Sequence, residues 1–392
     1  MTDVFILSGQ RTAVGDYGKA LKDVPPTKLG EIAIRAAIAK SGVEALDIQN
    51  VVMGHVIHTE PRDAYLSRVA AVQAGIPVET PALTVNRLCG SSLQAIVSAT
   101  QSLMLGDATL AVAGGAESMS RGGYLLPSER WGARLGDSKV IDMVVGALND
   151  PFGNGHMGIT AENVAARYGL SREQQDEFSA ESHRRAAAAI AAGHFKEQIT
   201  PVELASRKGT VIFDEDEHPR GETTAQSLST LRPVFKKDGT VTAGNASSLN
   251  DGAGALVLAS GTEVTRRNLK PMARIVAYGH AGVAPDVMGL GPIPASRNAL
   301  RKAGLSVADL DVIESNEAFA AQACAVAKDM DFDPEKVNPN GGAVALGHPI
   351  GASGAVIAIK AMYELHRTGG RYALATMCIG GGQGIALVLE RV

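Results

Sequence analysis

Two cysteines, a histidine and an asparagine stand in settings that could support thiol chemistry. Cys89 follows an apolar strand-like run at 83–85 and precedes Gly90-Ser91-Ser92, after which Leu93, Ile96, Val97 and Met104 fall on one helical face. The thiol therefore belongs at a helix start, where the positive end of the macrodipole and free backbone N–H groups favour thiolate and so a nucleophile. A buried structural cysteine is the plainer reading of the same position.

His348 lies in Leu346-Gly347-His348-Pro349-Ile350-Gly351, between glycines and before a proline, which holds it in a loop. An imidazole there can deprotonate a thiol near neutral pH, or it can be a loop histidine with its hydrogen bonds satisfied. Cys378 ends a strand-like run at 372–377 and opens Ile379-Gly380-Gly381-Gly382-Gln383-Gly384. Those glycines either let backbone N–H groups approach a ligand or make a tight turn. Asn316 follows the strand-like run 312–314 and begins Asn316-Glu317-Ala318-Phe319-Ala320, where it caps the next helix or orients a water. Cys324, on the alanine-rich helix that follows, reads as core.

The elements that must position these residues are legible in outline. Thr27 is expected to cap a helix through Lys40 that Gly42 closes, and Ser171 with Gln174 forms a capping box for a helix ending at Gly193. Short apolar strands lie between such helices, at 4–7, 51–53, 110–113 and 256–259 besides those already named. The class is α/β. Gly42-Val43-Glu44-Ala45-Leu46-Asp47-Ile48 can be laid without gaps on Gly304-Leu305-Ser306-Val307-Ala308-Asp309-Leu310, and Gly106 with the strand at 110–113 matches Gly370 with 374–377 at nearly the same separation. Such a duplication predicts two layered βαβ halves with a mostly parallel sheet, and function at strand ends where the halves meet. Residues 120–248, with Trp131, Asn149-Asp150-Pro151, a long polar helix and the acidic run 214–217, look like an inserted cap. The expected units are 1–119 with 249–270, the insert 120–248, and 271–392.

Bulk properties narrow the function classes. A chain of 392 residues, 45% hydrophobic and 20% charged, can bury a large core, and its 44 glycines are scattered or bound in motifs; disorder and collagen are excluded. The net charge of -4 offers no field for nucleic acid or an anionic membrane, and Arg207-Lys208 and Lys236-Lys237 read as solvated surface. Three cysteines and no charged-then-apolar leader argue against a secreted disulfide framework, and no apolar stretch approaches the ~20 residues that span a bilayer. A soluble protein of a reducing cytoplasm is expected.

Taken together, Asn86-Arg87-Leu88-Cys89-Gly90-Ser91, Asn316-Glu317-Ala318-Phe319-Ala320, Gly347-His348-Pro349 and Cys378-Ile379-Gly380-Gly381-Gly382 resemble the motifs of the thiolase family, in order and spacing over nearly the whole chain. Within that family the chain resembles the biosynthetic type, the acetyl-CoA acetyltransferases. The stretch beginning His58-Thr59-Glu60-Pro61-Arg62-Asp63 is most similar to bacterial broad-range β-ketothiolases.

The resemblance implies an α/β thiolase-like duplicated fold in α-β-α-β-α layers with an inserted loop domain, and a division of labour in the site. His348 activates Cys89, which takes an acyl group from acyl-CoA; Cys378 removes an α-proton from acetyl-CoA; and the carbanion attacks the acyl-enzyme to give 3-ketoacyl-CoA. Thiolysis is the reverse. Two oxyanion holes follow, one from His348 and a water held by Asn316, the other from the backbone N–H groups of Cys89 and Gly380. The family pattern sets Arg220 and Ser227 near the nucleotide of CoA and Ser247 and Ala243 beside its pantetheine. It sets His156, Met157, Phe235, Leu148, Met288, Ala318 and Phe319 around the acyl end. It further implies CoA and acyl-CoA as substrates and not as tightly bound cofactors, no metal, no nucleic acid and no membrane. A homodimer or homotetramer is implied, bridged through 121–139, with a place in fatty acid metabolism or polyhydroxyalkanoate precursor synthesis.

One departure is Ser92, where many thiolases carry glycine; either the helix start tolerates a side chain or the acyl pocket is altered. Two rival readings remain. A ketoacyl synthase also uses cysteine, histidine and asparagine, but decarboxylation needs no thiol base, which Cys378 would then leave unexplained. A silent acyl-CoA-binding module is the other, since fold alone does not prove activity.

Overall fold

The computed structural model describes residues 3–207 and 209–392, so Lys208 of the expected Arg207-Lys208 pair lies outside the described residues. The first half runs β1 (Val4–Thr12), α1 (Pro26–Ser41), β2 (Asn50–Gly54), β3 (Ala82–Val85), α2 (Ser91–Leu105) and β4 (Leu110–Ser118). Residues 119–249 follow, with α3 (Met157–Tyr168) and α4 (Arg172–Ala192), and the chain returns in β5 (Asn250–Ser260). The second half is β6 (Ala273–Gly282), α5 (Pro292–Ala303), β7 (Val312–Ser315), α6 (Ala320–Met330), α7 (Ser353–Thr368), β8 (Tyr372–Ile379) and β9 (Gln383–Arg391).

The main sheet has the order β7-β8-β9-β6-β1-β5-β4-β2-β3, which reads as two similar sheets joined where β1 meets β6 over Val4–Ile275 to Ile6–Ala273. Every residue of β4 and β5 is buried, the mark of strands covered on both faces. Alternation then sorts side chains between layers. Val51, Met53, Leu110 and Val112 pack with Leu29, Ala33 and Ile34 of α1. Val52, Ala111 and Ala113 pack with Leu93, Ile96 and Val97 of α2 and with Ala358, Ile359 and Met362 of α7. In the second half Leu374, Ala386 and Val388 face α5 and α6, while Ala373, Ala375 and Leu387 face the same central α2–α7 pair. The result is the five-layer α-β-α-β-α stack, with two helices at its centre.

Three local expectations are corrected. The sheet is mixed: β2 is parallel to β3 and β4, and β7 to β8, but the inner pairings β4–β5, β5–β1, β1–β6, β6–β9 and β9–β8 are antiparallel. The reason lies in the β8–β9 link, a hairpin over residues 380–382, since a short turn can only join antiparallel strands. Residues 119–249 occupy the equivalent link between β4 and β5, so the insert replaces a turn. Thr27 is not a cap; α1 starts at Pro26 behind an extended Pro25, and proline at the first position needs no capped N–H. Asn316 caps nothing either, because α6 begins four residues later behind Phe319. The capping box of Ser171 with Gln174 forms as expected, and Gly42 and Gly193 close their helices in the left-handed conformation.

Candidate active site

Cys89 is presented by a tight turn between β3 and α2. The Asn86 side-chain oxygen accepts from Leu88 N at 2.9 Å, and Ser91 Oγ accepts from Arg87 N at 2.9 Å while donating to the Leu88 carbonyl at 2.6 Å. These bonds hold Leu88 at φ 46°, a left-handed conformation that costs a leucine on the order of 1–3 kcal/mol and that the turn must over-determine. Gly90 then lets the turn lie against the next layer, since a Cβ there would sit 2.5 Å from Ile379 Cδ1. Ile379 neighbours Cys378, and the two thiols are close enough for Cys89 to raise the Cys378 pKa.

The electrostatics reverse one expectation. Burial pushes the Cys89 thiol up to about 11, outweighing hydrogen bonds from the Gly380 and Cys89 amides that favour thiolate, and the nearby Glu117 adds to the rise. A helix start alone therefore does not ionise this cysteine. Cys378, fully buried near the end of β8, is raised further by burial and by Cys89. Both thiols hold their protons at neutral pH, so a base must act on each in turn.

His348 is held in the opposite sense. Burial lowers its pKa to about 4, leaving a neutral imidazole. Its backbone N–H donates to Asn250 Oδ1 at 2.8 Å, and the preceding Gly347, at φ 99°, leaves room for that asparagine, whose side chain a Cβ would meet at 2.5 Å. Its Nδ1 lies 2.6 Å from Ser353 Oγ, while Nε2 is buried with no partner among the described residues. The buried Glu117 carboxyl group fastens the same loop to the segment that follows β2, accepting from Gly351 N at 2.9 Å, Val56 N at 3.1 Å and Ile57 N at 3.2 Å.

Asn316 follows β7 with its N–H bonded to the Thr376 carbonyl at 2.9 Å, and both polar atoms of its buried side chain lack a partner among the described residues. Such an amide requires a hydrogen-bonding guest, because leaving it unpaired costs about 1–3 kcal/mol. Glu317 beside it ties β7 to the approach to His348, accepting from Asn338 Nδ2 at 2.8 Å, Ser182 Oγ at 2.7 Å and Val344 N at 3.1 Å.

Cys89, His348, Cys378 and Gly380 share the wall of one mostly apolar cavity of about 510 Å³. Leu148, His156, Met157, Phe235, Ala243, Ser247, Met288, Ala318 and Phe319 also line it. His156 caps α3 by accepting from Gly158 N at 3.1 Å and stacks on Phe235 at 4.7 Å. Ser247 bonds the Ala318 carbonyl at 3.0 Å through both N and Oγ. Asn316 is not part of that wall, nor are Arg220 and Ser227. Arg220 lies at an exposed loop whose N–H donates to His183 Nδ1 at 3.3 Å, and the exposed Ser227 completes a capping box with Thr224. Sequence reasoning gave no role to Leu88, Met119, Val144, Val234, Leu249 and Ile350 in the wall, because single apolar residues scattered over separate segments carry no local signal.

Ser92 faces away from the cavity. Its Oγ accepts from Ala355 N at 2.9 Å, joining the start of α2 to the start of α7, so the helix start accommodates a side chain and uses it. Cys324 lines a different cavity beside Glu317, partly buried and with its pKa raised to about 12 by burial. Among the described residues no group of three or more His, Cys, Asp and Glu side chains is placed to hold a metal ion, and no helix is long and apolar enough to cross a membrane.

The family model for the thiolase N-terminal domain matches residues 4–262, and that for the thiolase C-terminal domain matches 269–391. The chain is 61% identical over 391 residues to the beta-ketothiolase BktB of Cupriavidus necator, covering 100% of this chain and 99% of that protein. It is 49% identical to the acetyl-CoA acetyltransferase of Chromobacterium violaceum, over 99% of this chain and 100% of the other. The crystal structure of human mitochondrial 3-ketoacyl-CoA thiolase superposes with a TM-score of 0.98 at 45% identity, covering 100% of this chain and 99% of that one; the same human enzyme has been solved in complex with CoA, at a TM-score of 0.97. Two cysteines facing one cavity from the two halves of a duplicated five-layer fold, and family matches over both halves, establish that this chain belongs to the thiolase family.

Proposed function

We propose that the protein is an acetyl-CoA C-acyltransferase, a β-ketothiolase that condenses acetyl-CoA with an acyl-CoA to 3-ketoacyl-CoA plus CoA and runs the reverse thiolysis. The observation that carries the reading is the convergence of two protonated thiols of unlike setting, Cys89 and Cys378, with a neutral His348 on one cavity wall. His348 accepts and keeps the Cys89 proton as the sulfur attacks the thioester carbonyl; the CoA thiolate departs with the Cys378 proton, and the acyl group stays on Cys89. Deprotonated Cys378 then removes an α-proton from acetyl-CoA, and the carbanion expels Cys89 from the acyl-enzyme. The N–H groups of Cys89 and Gly380, which already hydrogen-bond toward the sulfur, are suited to the tetrahedral oxyanion. The unpartnered amide of Asn316 is suited to hold the water of the second hole, which His348 would complete. The test is loss of acetoacetyl-CoA on addition of CoA, with two acetyl-CoA formed per molecule consumed; no turnover would sink the reading.

In this reading Ser247 and Ala243 carry the pantetheine, Arg220 and Ser227 the nucleotide end outside the cavity, and Leu148, His156, Met157, Phe235, Met288, Ala318 and Phe319 the acyl end. Residues 1–119 with 249–270, and 271–392, form the two thiolase halves, and 120–248 the cap. Tyr124, Trp131, Leu135 and Val140 are exposed in that cap, which supports self-association as a dimer or tetramer through 121–139. The proposal extends to a cytoplasmic setting and to polyhydroxyalkanoate precursor supply.

Two measurements refine the proposal. Because burial lowers His348 below the ordinary imidazole value of ~6.5, the base stays unprotonated as pH falls through that value and is lost only near 4. The rate of Cys89 acylation by acetyl-CoA, followed by rapid quench, is therefore expected to hold level down to about pH 5. An acid limb centred at ~6.5 would contradict the buried, neutral imidazole. For chain length, one methylene in an apolar pocket changes discrimination by only ~1–3 kcal/mol. With a cavity of this size, kcat/KM for 3-ketovaleryl-CoA is expected within ~10-fold of that for acetoacetyl-CoA, and a gap beyond ~100-fold would limit the enzyme to acetyl units.

A further inference from the structure

We infer that Ser353, the first residue of α7, is a positioning residue that sets the tautomer of His348 and so delivers a bare Nε2 to the cavity. The available hydrogens decide the tautomer. Ser353 Oγ lies 2.6 Å from His348 Nδ1 and 2.8 Å from the Pro349 carbonyl, and a hydroxyl has one proton to donate. A carbonyl can only accept. If the hydroxyl donates to Pro349, it must accept from Nδ1–H, and both contacts become hydrogen bonds. If instead it donates to Nδ1, the contact with Pro349 loses its proton, and Nε2–H is left as a buried donor without a partner among the described residues. Orphaned buried N–H groups are rarer in folded proteins than under-satisfied acceptors. The arrangement that keeps both bonds puts the proton on Nδ1 and a lone pair on Nε2, inside the cavity that Cys89 lines.

The consequence is a defined proton path. Nε2 takes the Cys89 proton during acylation and becomes a donor, so the same nitrogen that serves as base afterwards can bind an oxyanion. In the other tautomer Nε2 already carries a proton, so it can donate to an oxyanion but cannot take the Cys89 proton until the ring turns over or exchanges its own. Ser353 is itself buried and seated on the first turn of a helix whose next residues pack against α2, so its rotamer is fixed by the same central layer that carries Cys89. Glu117 holds the intervening Gly351, which keeps the distance from His348 to Ser353 constant.

This inference rests on reading His348 as the base for Cys89, and its test separates the two. In protein labelled with 15N-histidine, two-bond proton–nitrogen correlation is expected to show the His348 ring with Nδ1 protonated and Nε2 bare; a proton on Nε2 would overturn the assignment whatever the activity. In Ser353→Ala the ring is expected to carry a mixture of tautomers. Its Cys89 acylation rate should fall roughly 10- to 100-fold with KM for acetyl-CoA little changed, part of the ~10²–10⁴ that a general base supplies. Ser353→Thr, which keeps the hydroxyl, should recover most of the rate. Ser353→Ala acylating at the wild-type rate would refute the role of Ser353, whereas failure of wild-type enzyme to acylate Cys89 at all would refute the active-site reading and leave the tautomer result standing.

Discussion

Cys89→Ser is expected to abolish the acyl-enzyme: mass spectrometry after mixing with acetyl-CoA should show no adduct, and turnover should fall by at least ~10⁴-fold, as when the nucleophile of a catalytic unit is removed. The substitution exchanges one atom, so the turn built by Asn86 and Ser91 and the contact of Gly90 with Ile379 are kept. What changes is acidity and polarisability. Burial already lifts the thiol to about 11, and a serine hydroxyl in the same place is less acidic still and a poorer nucleophile toward a thioester. Normal condensation by this variant would remove Cys89 from the mechanism.

Cys378→Ser should separate the two half-reactions. Cys89 and His348 are untouched, so acetyl transfer to Cys89 is expected to proceed and the adduct to accumulate, while acetoacetyl-CoA formation falls by about 10²–10⁴-fold for want of a base at the α-carbon. The geometric support is that Cys378 sits on the strand end beside Gly380, on the same wall as Cys89 yet on the opposite half of the duplicated fold. A variant that condensed normally would leave the second thiol without a duty and would favour a decarboxylating route to the carbanion. A variant that could not be acylated would instead mean that Cys378 helps to shape the Cys89 site.

Much of this site was legible in the chain because its signals are local. A cysteine two residues ahead of a helix, a histidine between glycine and proline, and a cysteine before three glycines depend on nearest neighbours. The capping box at Ser171 and the left-handed closures at Gly42 and Gly193 likewise depend only on what a few consecutive residues can satisfy. The duplication was visible for the same reason, as two copies of one helix–turn–strand pattern. Where local reasoning failed, a distant partner decided. Asn316 had the residue type of a cap, but the helix starts later and its amide is left free for a guest. Ser92 read as a possible change to the pocket, yet Ala355 N, contributed by α7, claims its hydroxyl.

The sequence by itself determined which groups can react, the order of helices and strands around them, and the two-fold repeat, because each of these is written in spacing along the chain. Only the tertiary structure decided how those groups are charged and aimed. Cys89 keeps its proton although it stands at a helix start, because the desolvation that raises its pKa comes from burial within the folded layers. His348 stays neutral and offers Nε2 because Asn250, Ser353 and Glu117, drawn from both halves, fix its loop. The inner strands run antiparallel because a three-glycine hairpin in one half has its counterpart in a long insert in the other. Burial, proton placement and strand direction are set by residues far apart in sequence, and folding is what brings them within a hydrogen bond of each other.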